Sequence, residues 1–275
     1  MPLVNLKRTT EFDVYIGREH AGHAASKWEN PFKIGVDGSR SECIAKYANM
    51  LSSTPALLRN IPQLMGKTLA CWCAPNPCHG DVINGLIETW ANSKIYAGIG
   101  SRTTPAKVVS FITRLARNLD QKSYVLRSGG ADGADLAFQR GSTNSEIYLP
   151  FAGFNHNTSP LFDIPDEAFA LAKSAHPAWG RLSDVAKKLH ARNSQQVFGQ
   201  NLDKPARLGI CWTEDGSETE AETSINTGGT RTAIVLADRH GIPVINLAKS
   251  DALDRLTSFF VHKKIEAGPV QKELF

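Results

Sequence analysis

Hydrophobic and polar positions alternate between two periods along the second half of the chain. Ile95 to Gly100 is a short apolar run that ends in the turn glycines Gly98 and Gly100. Behind Pro105, a residue suited to a helix start, Val108, Ile112, Leu115, Ala116 and Leu119 recur at helical spacing. A second apolar run at 124–127 leads into Gly129, Gly130 and Gly133, and Ala134, Leu136, Ala137 and Phe138 then read as another helix. Further strands are expected at 146–150, 208–212 and 242–247, and further helices at 166–174, 182–198 and 232–239. In the helix over 182–198, Val185, Leu189 and Val197 are expected to face inward, and His190, Arg192 and Asn193 lie on the same run. The rest of 151–180 is punctuated by Gly153, Pro160, Pro165 and Pro177 and reads as irregular. Repetition of strand, glycine turn and helix predicts an α/β fold with a doubly wound, mostly parallel sheet, in which ligands lie at the carboxyl ends of the strands.

The first ninety residues carry a smaller α/β pattern. A strand end is expected at 14–17, an aromatic and proline-rich loop at 28–35, and a helix over 39–51 with Ile44, Tyr47, Ala48 and Leu51 on one face and Ser41 as its N-cap. The run 69–73 alternates as a buried strand, and 78–87 reads as a glycine turn opening a helix. The predicted organisation is therefore a small α/β domain over 1–93, a larger sheet domain over 94–267, and an exposed tail over 268–275 that begins at the helix stop Gly268-Pro269.

Composition narrows the class without naming a function. Of 275 residues, 41% are hydrophobic and 21% charged, which suits a globular chain. A formal net charge of +4 permits an anionic ligand but does not by itself indicate nucleic acid. No apolar run approaches the roughly 20 residues of a membrane span, and the first six residues are too short for a signal peptide, so no membrane association is expected. Five cysteines, three of them clustered, fit a reducing cytoplasm better than a disulfide framework.

Glycines let backbone N–H groups approach a ligand, and a helix N-terminus favours an anion. One glycine turn would be no more than a tight connection. Two in consecutive units, Gly98, Gly100, Ser101 and Arg102 and then Ser128, Gly129, Gly130 and Asp132, point to a phosphate- or nucleotide-binding cleft. Thr227, Gly228, Gly229 and Thr230 open a helix after a strand and form a third candidate nest. A helix bearing Arg192 and Asn193 could aim Arg192 at an anion there, or present these residues to solvent. Between the fourth strand and the third nest, Glu214, Asp215, Glu218, Glu220 and Glu222 form an acidic loop.

Cys71, Cys73, Cys78 and His79 form the sharpest cluster in the first domain. Residues 71 and 73, two apart on a strand, point to one face, and the four side chains could converge on zinc, although the spacing lacks the C-x2-C of zinc knuckles. The same residues also read as small buried cysteines in an apolar strand with a helix-capping turn, or as a thiolate at Cys78 activated by a helix N-terminus.

Three resemblances follow from these motifs. Tyr15-Ile-Gly-Arg18, Asn30-Pro-Phe-Lys-Ile-Gly35 and the run from Leu69 through Cys71, Cys73 and Cys78 to Asp81 resemble a small uncharacterised domain family of phage and bacterial genomes, to which no activity is attached. The three glycine nests, with Gly241-Ile-Pro-Val244, resemble the SLOG superfamily, which includes DNA-processing protein A, the Lonely Guy phosphoribohydrolases and sensors of nucleotide-derived signals. That resemblance implies a Rossmann-like fold. In the phosphoribohydrolases an arginine before the fourth strand and a glutamate after the third nest serve catalysis. Arg192 falls at the matching helix, but Ala233 stands at the glutamate position, and Asp132 or Glu222 are the candidates to replace it as acid/base.

In the DNA-binding relatives the first two glycine turns hold strand phosphates, whereas the modest charge and the acidic loop here weigh against a DNA groove. The resemblance thus leaves two expectations: hydrolysis of a nucleotide N-glycosidic bond, or non-catalytic binding of a nucleotide signal or of single-stranded DNA by a homo-oligomer. Finally, Gln271, Leu274 and Phe275 resemble the short peptide by which bacterial proteins dock on the replication sliding clamp, and read equally as an apolar tail.

Overall fold

The computed structural model describes residues 1–261 and divides the chain into two units, Met1–Ser93 with Asp203–Pro205, and the remainder. Gln271, Leu274 and Phe275 lie outside the described residues.

In the first unit, β1 (Leu3–Asn5), β2 (Val14–Tyr15) and β3 (Leu69–Cys71) form a parallel sheet in the order β1-β3-β2. The strand expected over 69–73 stops at Cys71, and β1 is an addition the alternation pattern did not reveal. Helix α1 (Arg40–Ser52) starts one residue before the expected cap. Ser39 rather than Ser41 is its N-cap, because Ser39 and Glu42 form a reciprocal capping box. A short helix α2 (Pro55–Leu58) follows, and α3 (His79–Ala91) closes the unit. Tyr47 and Leu51 of α1 and Ile83 and Ile87 of α3 pack with Trp28 and Leu69 into one core.

The second unit is a five-stranded parallel sheet. Its strands are β4 (Ile95–Gly100), β5 (Val125–Ser128), β6 (Ser145–Ile147), β7 (Leu208–Trp212) and β8 (Val244–Asn246), ordered β6-β5-β4-β7-β8. Its helices are α4 (Ala106–Gln121), α5 (Ala134–Gly141), α6 (Asp166–Ala175), α7 (Asp184–Phe198), α8 (Arg231–Arg239) and α9 (Ala252–Val261). Successive strand residues feed opposite faces. Tyr96, Leu208 and Ile210 join the core beneath α4, α5 and α9, whereas Ala97, Ile99 and Cys211 join the one beneath α6, α7 and α8. Sheet order reverses at β4, between β5 and β7, the switch point where α/β sheets open a crevice. The Rossmann-like α/β architecture expected from the sequence is therefore the observed one. No described helix is long and apolar enough to cross a membrane.

One helix departs from its expected facing. Val185 is exposed, whereas His190 to Phe198 are all buried, polar residues included. The apolar period of α7 is weak because its inner half is buried on all sides with polar residues included, among them Ser194, whose Oγ donates to Ala168 O (3.2 Å), and Gln195, whose Nε2 donates to Asp163 O (2.8 Å).

Helices α4 and α5 cross at the backbone of Gly141. A Cβ there would stand 2.3 Å from Thr113 O and 2.7 Å from Ala116 Cβ. Gly141→Ala is expected to destabilise the protein by about 1–3 kcal/mol, the range for overpacking a tight contact, and the fall in thermal midpoint measures it.

Candidate functional site

At the carboxyl end of β4 the chain turns through Gly100, Ser101 and Arg102. The Ser101 N–H donates to Trp212 O at the end of β7 (2.9 Å), which fastens this turn to the neighbouring strand. At the end of β5 a second glycine turn packs against the first. Gly133, at φ +78°, lies so close that a Cβ would meet Ser101 O at 2.3 Å, and the Ala134 N–H donates to that oxygen (3.2 Å). Between these turns and α7 lies a cavity of about 330 Å³, lined by Gly100, Ser101, Arg102, Ala131, Asp135, His190, Arg192, Asn193, Gln196, Gly229, Thr230 and Ala233, among others.

Arg192 reaches from α7 under the second glycine turn, and its Nη1 lies 3.5 Å from Asp135 Oδ2. Gly129 makes that reach possible, since a Cβ there would fall 1.7 Å from Arg192 Nη1. Burial pushes the Asp135 carboxyl above its ordinary value, against the pull of Arg192 and of backbone hydrogen bonds from Ala131, Gly100 and Gly129. Burial likewise lowers the Arg192 guanidinium, against the attraction of Asp135 and with the repulsion of nearby Arg102. Two buried polar groups of cavity-lining residues, Arg192 Nε and Gln196 Nε2, have no hydrogen-bond partner among the described residues. Unsatisfied buried donors are costly, and here both belong to residues that line one cavity.

The sequence-derived residues divide clearly. Gly100, Ser101, Arg102, Arg192, Asn193, Gly229 and Thr230 come together around the cavity. Gly98, Ser128, Gly129, Gly130, Thr227 and Gly228 do not line it. A Cβ on Gly98 would strike Phe138 and Leu126, Ser128 Oγ donates to Gly98 O (2.7 Å), and Thr227 Oγ1 donates to Asp215 (2.5 Å). Asp132 is exposed and accepts from Asn155 Nδ2 (3.0 Å), while Glu222 is paired with Lys249 (3.0 Å), so neither lines the cavity. Asp135 and Gln196 were missed. Asp135 stands in the apolar pattern of Ala134, Leu136 and Ala137, and Gln196 in a polar stretch of α7, and neither context marks a residue of the cavity.

The loop over 213–226 is acidic in composition but internally paired. Glu218 is held by Arg255 and Lys249, and Glu220 by Arg239. Burial acts to raise the Asp215 carboxyl, but hydrogen bonds from Ser224, Thr227, Thr213 and Ser217 outweigh it and leave the group well below the carboxylate range. These contacts position the turn that carries Gly229 and Thr230, and Asn193 Nδ2 donates to Gly229 O (2.8 Å) across the cavity wall.

In the first unit, Cys71, Cys73 and Cys78 bring their sulfur atoms within 4.8 Å of one another and could hold a metal such as zinc. His79 does not join them. Its Nε2 lies 2.7 Å from Ile16 O, and its ring packs edge-on against Tyr47. Hydrogen bonds with the Cys71 and Cys78 thiols pull the Cys73 thiol far down, and those with Cys71 and then Cys73 push Cys78 up. These sulfurs border a separate cavity of about 690 Å³.

Comparison with known proteins bears mainly on this first unit. Residues 4–89 match the model of a family described as a domain of unknown function (DUF4326). Over 80 residues the chain is 40% identical to an uncharacterised protein of Acanthamoeba polyphaga mimivirus, covering 26% of this chain and 61% of that one, less than two thirds of its length. Over 87 residues it is 31% identical to an uncharacterised 12.4 kDa protein of Enterobacteria phage T4, covering 30% of this chain and 73% of the phage protein. Among solved structures, DNA processing protein A from Helicobacter pylori, described for its single-stranded DNA binding mode, gives a TM-score of 0.34 at 17% identity, over 62% of this chain and 74% of that one.

His190 links the cavity to stability. Its Nδ1 lies 2.7 Å from Thr232 Oγ1 and its ring packs against His176; burial, then the charges of His176 and Arg192, pushes its pKa down to about 4. As pH falls below the ordinary value near 6.5, the unfolded chain takes up a proton that the folded chain refuses until about 4. Stability is therefore full above pH 6.5 and is lost through that window, by on the order of 3 kcal/mol. His190→Gln is expected to flatten the dependence of the denaturation midpoint on pH between about 4 and 6.5.

Proposed function

The chain belongs, through residues 4–89, to the DUF4326 family, and we propose that the unit following it binds an anionic, nucleotide-derived ligand in the cavity between β4 and α7. The observation that carries this reading is the pair of orphaned buried donors, Arg192 Nε and Gln196 Nε2, on two residues that line a cavity at the switch point of the sheet. With Arg102 and Arg192 against Asp135 alone, and His190 neutral near pH 7, the charged lining favours a bound anion. A phosphate would lie toward Arg192, Arg102 and the Gly100–Arg102 turn, with the rest of the ligand against Leu189 and Ala233. A volume of about 330 Å³ suits one small molecule. The likeness of the three glycine nests to the SLOG superfamily agrees with this assignment.

Asp135 supports a second reading, hydrolysis of an N-glycosidic bond. It is the one carboxylate among the described residues lining the cavity, and burial favours its protonated form, as a general acid requires. Against it, Asp135 is tied to Arg192 and backbone N–H groups, and Ala233, which lines the cavity, offers no carboxylate. Binding without cleavage is therefore the leading proposal. Single-stranded DNA is the weaker partner, since a binder of that kind needs a continuous basic groove.

Calorimetric titration of the full chain with nucleoside mono- and diphosphates is expected to show saturable binding. Arg192→Ala should weaken it by about 10- to 150-fold, the value of a hydrogen bond to a charged group. Absence of binding across the panel, or an affinity indifferent to Arg192→Ala, would contradict the proposal. Chromatography of the same mixtures separates the readings: free base that disappears in Asp135→Asn establishes hydrolysis, and intact nucleotide establishes a binder.

A further inference from the structure

We propose that Cys71, Cys73 and Cys78 form a three-thiolate site for a thiophilic divalent metal, zinc foremost, whose fourth position opens on the adjoining cavity and takes an oxyanion donor. This site is independent of the nucleotide cavity of the second unit.

Spacing is the first argument. Cys71 Sγ and Cys78 Sγ stand 3.7 Å apart. Sulfurs of a tetrahedral zinc site with Zn–S near 2.3 Å are about 3.8 Å apart, so these atoms already span one edge of the tetrahedron. The three sulfurs come from the end of β3, the loop behind it and the N-cap of α3, two of these three being regular elements packed into one core.

Their surroundings are those of ligating sulfurs. The Cys73 N–H donates to Cys71 Sγ (3.3 Å) and the Gly80 N–H to Cys78 Sγ (3.3 Å). Such outer hydrogen bonds orient a thiolate and offset its charge. The Cys78 cap is locked from the other side, where its own N–H donates to Asp81 Oδ2 (2.7 Å).

Openness follows from what is missing among the protein donors. His79, the obvious fourth ligand, is committed to Ile16 O and to the core, and the ligand cluster of the described residues contains the three cysteines alone. All three cysteines line the 690 Å³ cavity. The fourth position therefore faces it.

Charge selects the donor. Around the same cavity stand Lys7, Arg18, Lys33 and Arg40, against Glu19 as the only carboxylate among the described residues that line it. Arg18 is fixed in the wall by hydrogen bonds to Asn30 O and Phe32 O, and Arg40 by one to Pro77 O (3.2 Å). Three thiolates and a divalent cation sum to one negative charge, which leaves the cavity positive and suits a phosphate or carboxylate oxygen at the metal.

Elemental analysis of the full chain, purified under reducing conditions without a metal-affinity tag, is expected to find about one zinc per chain. Replacement by cobalt should give thiolate-to-metal absorption and the visible bands of a tetrahedral ion, and inorganic phosphate should shift those visible bands. Zinc-edge X-ray absorption should show three sulfurs and one light atom without an imidazole pattern. Cys73→Ser should lose metal at least tenfold, while Cys211→Ser in the second unit retains it. A chain that takes up neither zinc nor cobalt overturns the metal site. Imidazole scattering, or visible bands unmoved by phosphate, overturns the open position. Should Cys73→Ser fail to fold, the spectra of the unaltered chain decide.

Discussion

A guanidinium and a carboxylate, Arg192 and Asp135, meet in the interior of the second unit, and both glycine turns take their shape from that meeting. Removing such ions from water costs several kcal/mol each, and their mutual attraction recovers it only when further hydrogen bonds satisfy them. Backbone N–H groups of Gly100, Gly129 and Ala131 supply those bonds to the carboxylate, which draws the ends of β4 and β5 to one point. Gly129 is then required for space rather than for ligand contact, since Arg192 fills the position its side chain would take. The guanidinium is left without a partner at its Nε.

The two units line their cavities with different chemistry. In the second, fixed backbone and a partly satisfied arginine present hard donors in a small cavity. In the first, soft sulfur atoms gather at the wall of a larger cavity that Lys7, Arg18, Lys33 and Arg40 also line. The acidic segment of the second unit contributes to neither as free charge. Glu218, Glu220 and Glu222 are paired with Arg255, Arg239 and Lys249, and their work is to hold a turn in place.

Much of the architecture was legible because buried parallel strands and amphipathic helices leave strong periods. Leu208 to Trp212 was read at its observed extent, β4 runs on through Gly98 and Gly100, which had read as a turn, and α4 followed from Ile112, Leu115, Ala116 and Leu119. Short edge elements were not legible: three residues at Leu3–Asn5 carry no period. Ser41 competed with Ser39 as a cap, and only the reciprocal bond with Glu42 decides between them. At the cavity, glycine turns announced the place but not the division of labour within it. Gly98 and Ser128 resemble ligand contacts in sequence yet serve packing, and neither Asp135 nor Gln196 stands in a context that marks a residue of the cavity. His79 shows the same limit, for adjacency to Cys78 says nothing of which way a side chain turns at a helix N-terminus.

One wall of the second unit's cavity is main chain and the other is a helix face. Gly100, Ser101 and Gly229 contribute to the first, and their neighbours Gly129 and Gly133 tolerate no side chain. Leu189, Arg192, Asn193 and Gln196, spaced one helical turn apart, contribute to the second. On the proposed reading, heritable change in what this cavity accepts would run through α7. Related chains that diverged in ligand would keep the glycine turns and Arg192 and differ at 189, 193 and 196, so that a new preference could arise by drift along one helix without rebuilding the fold.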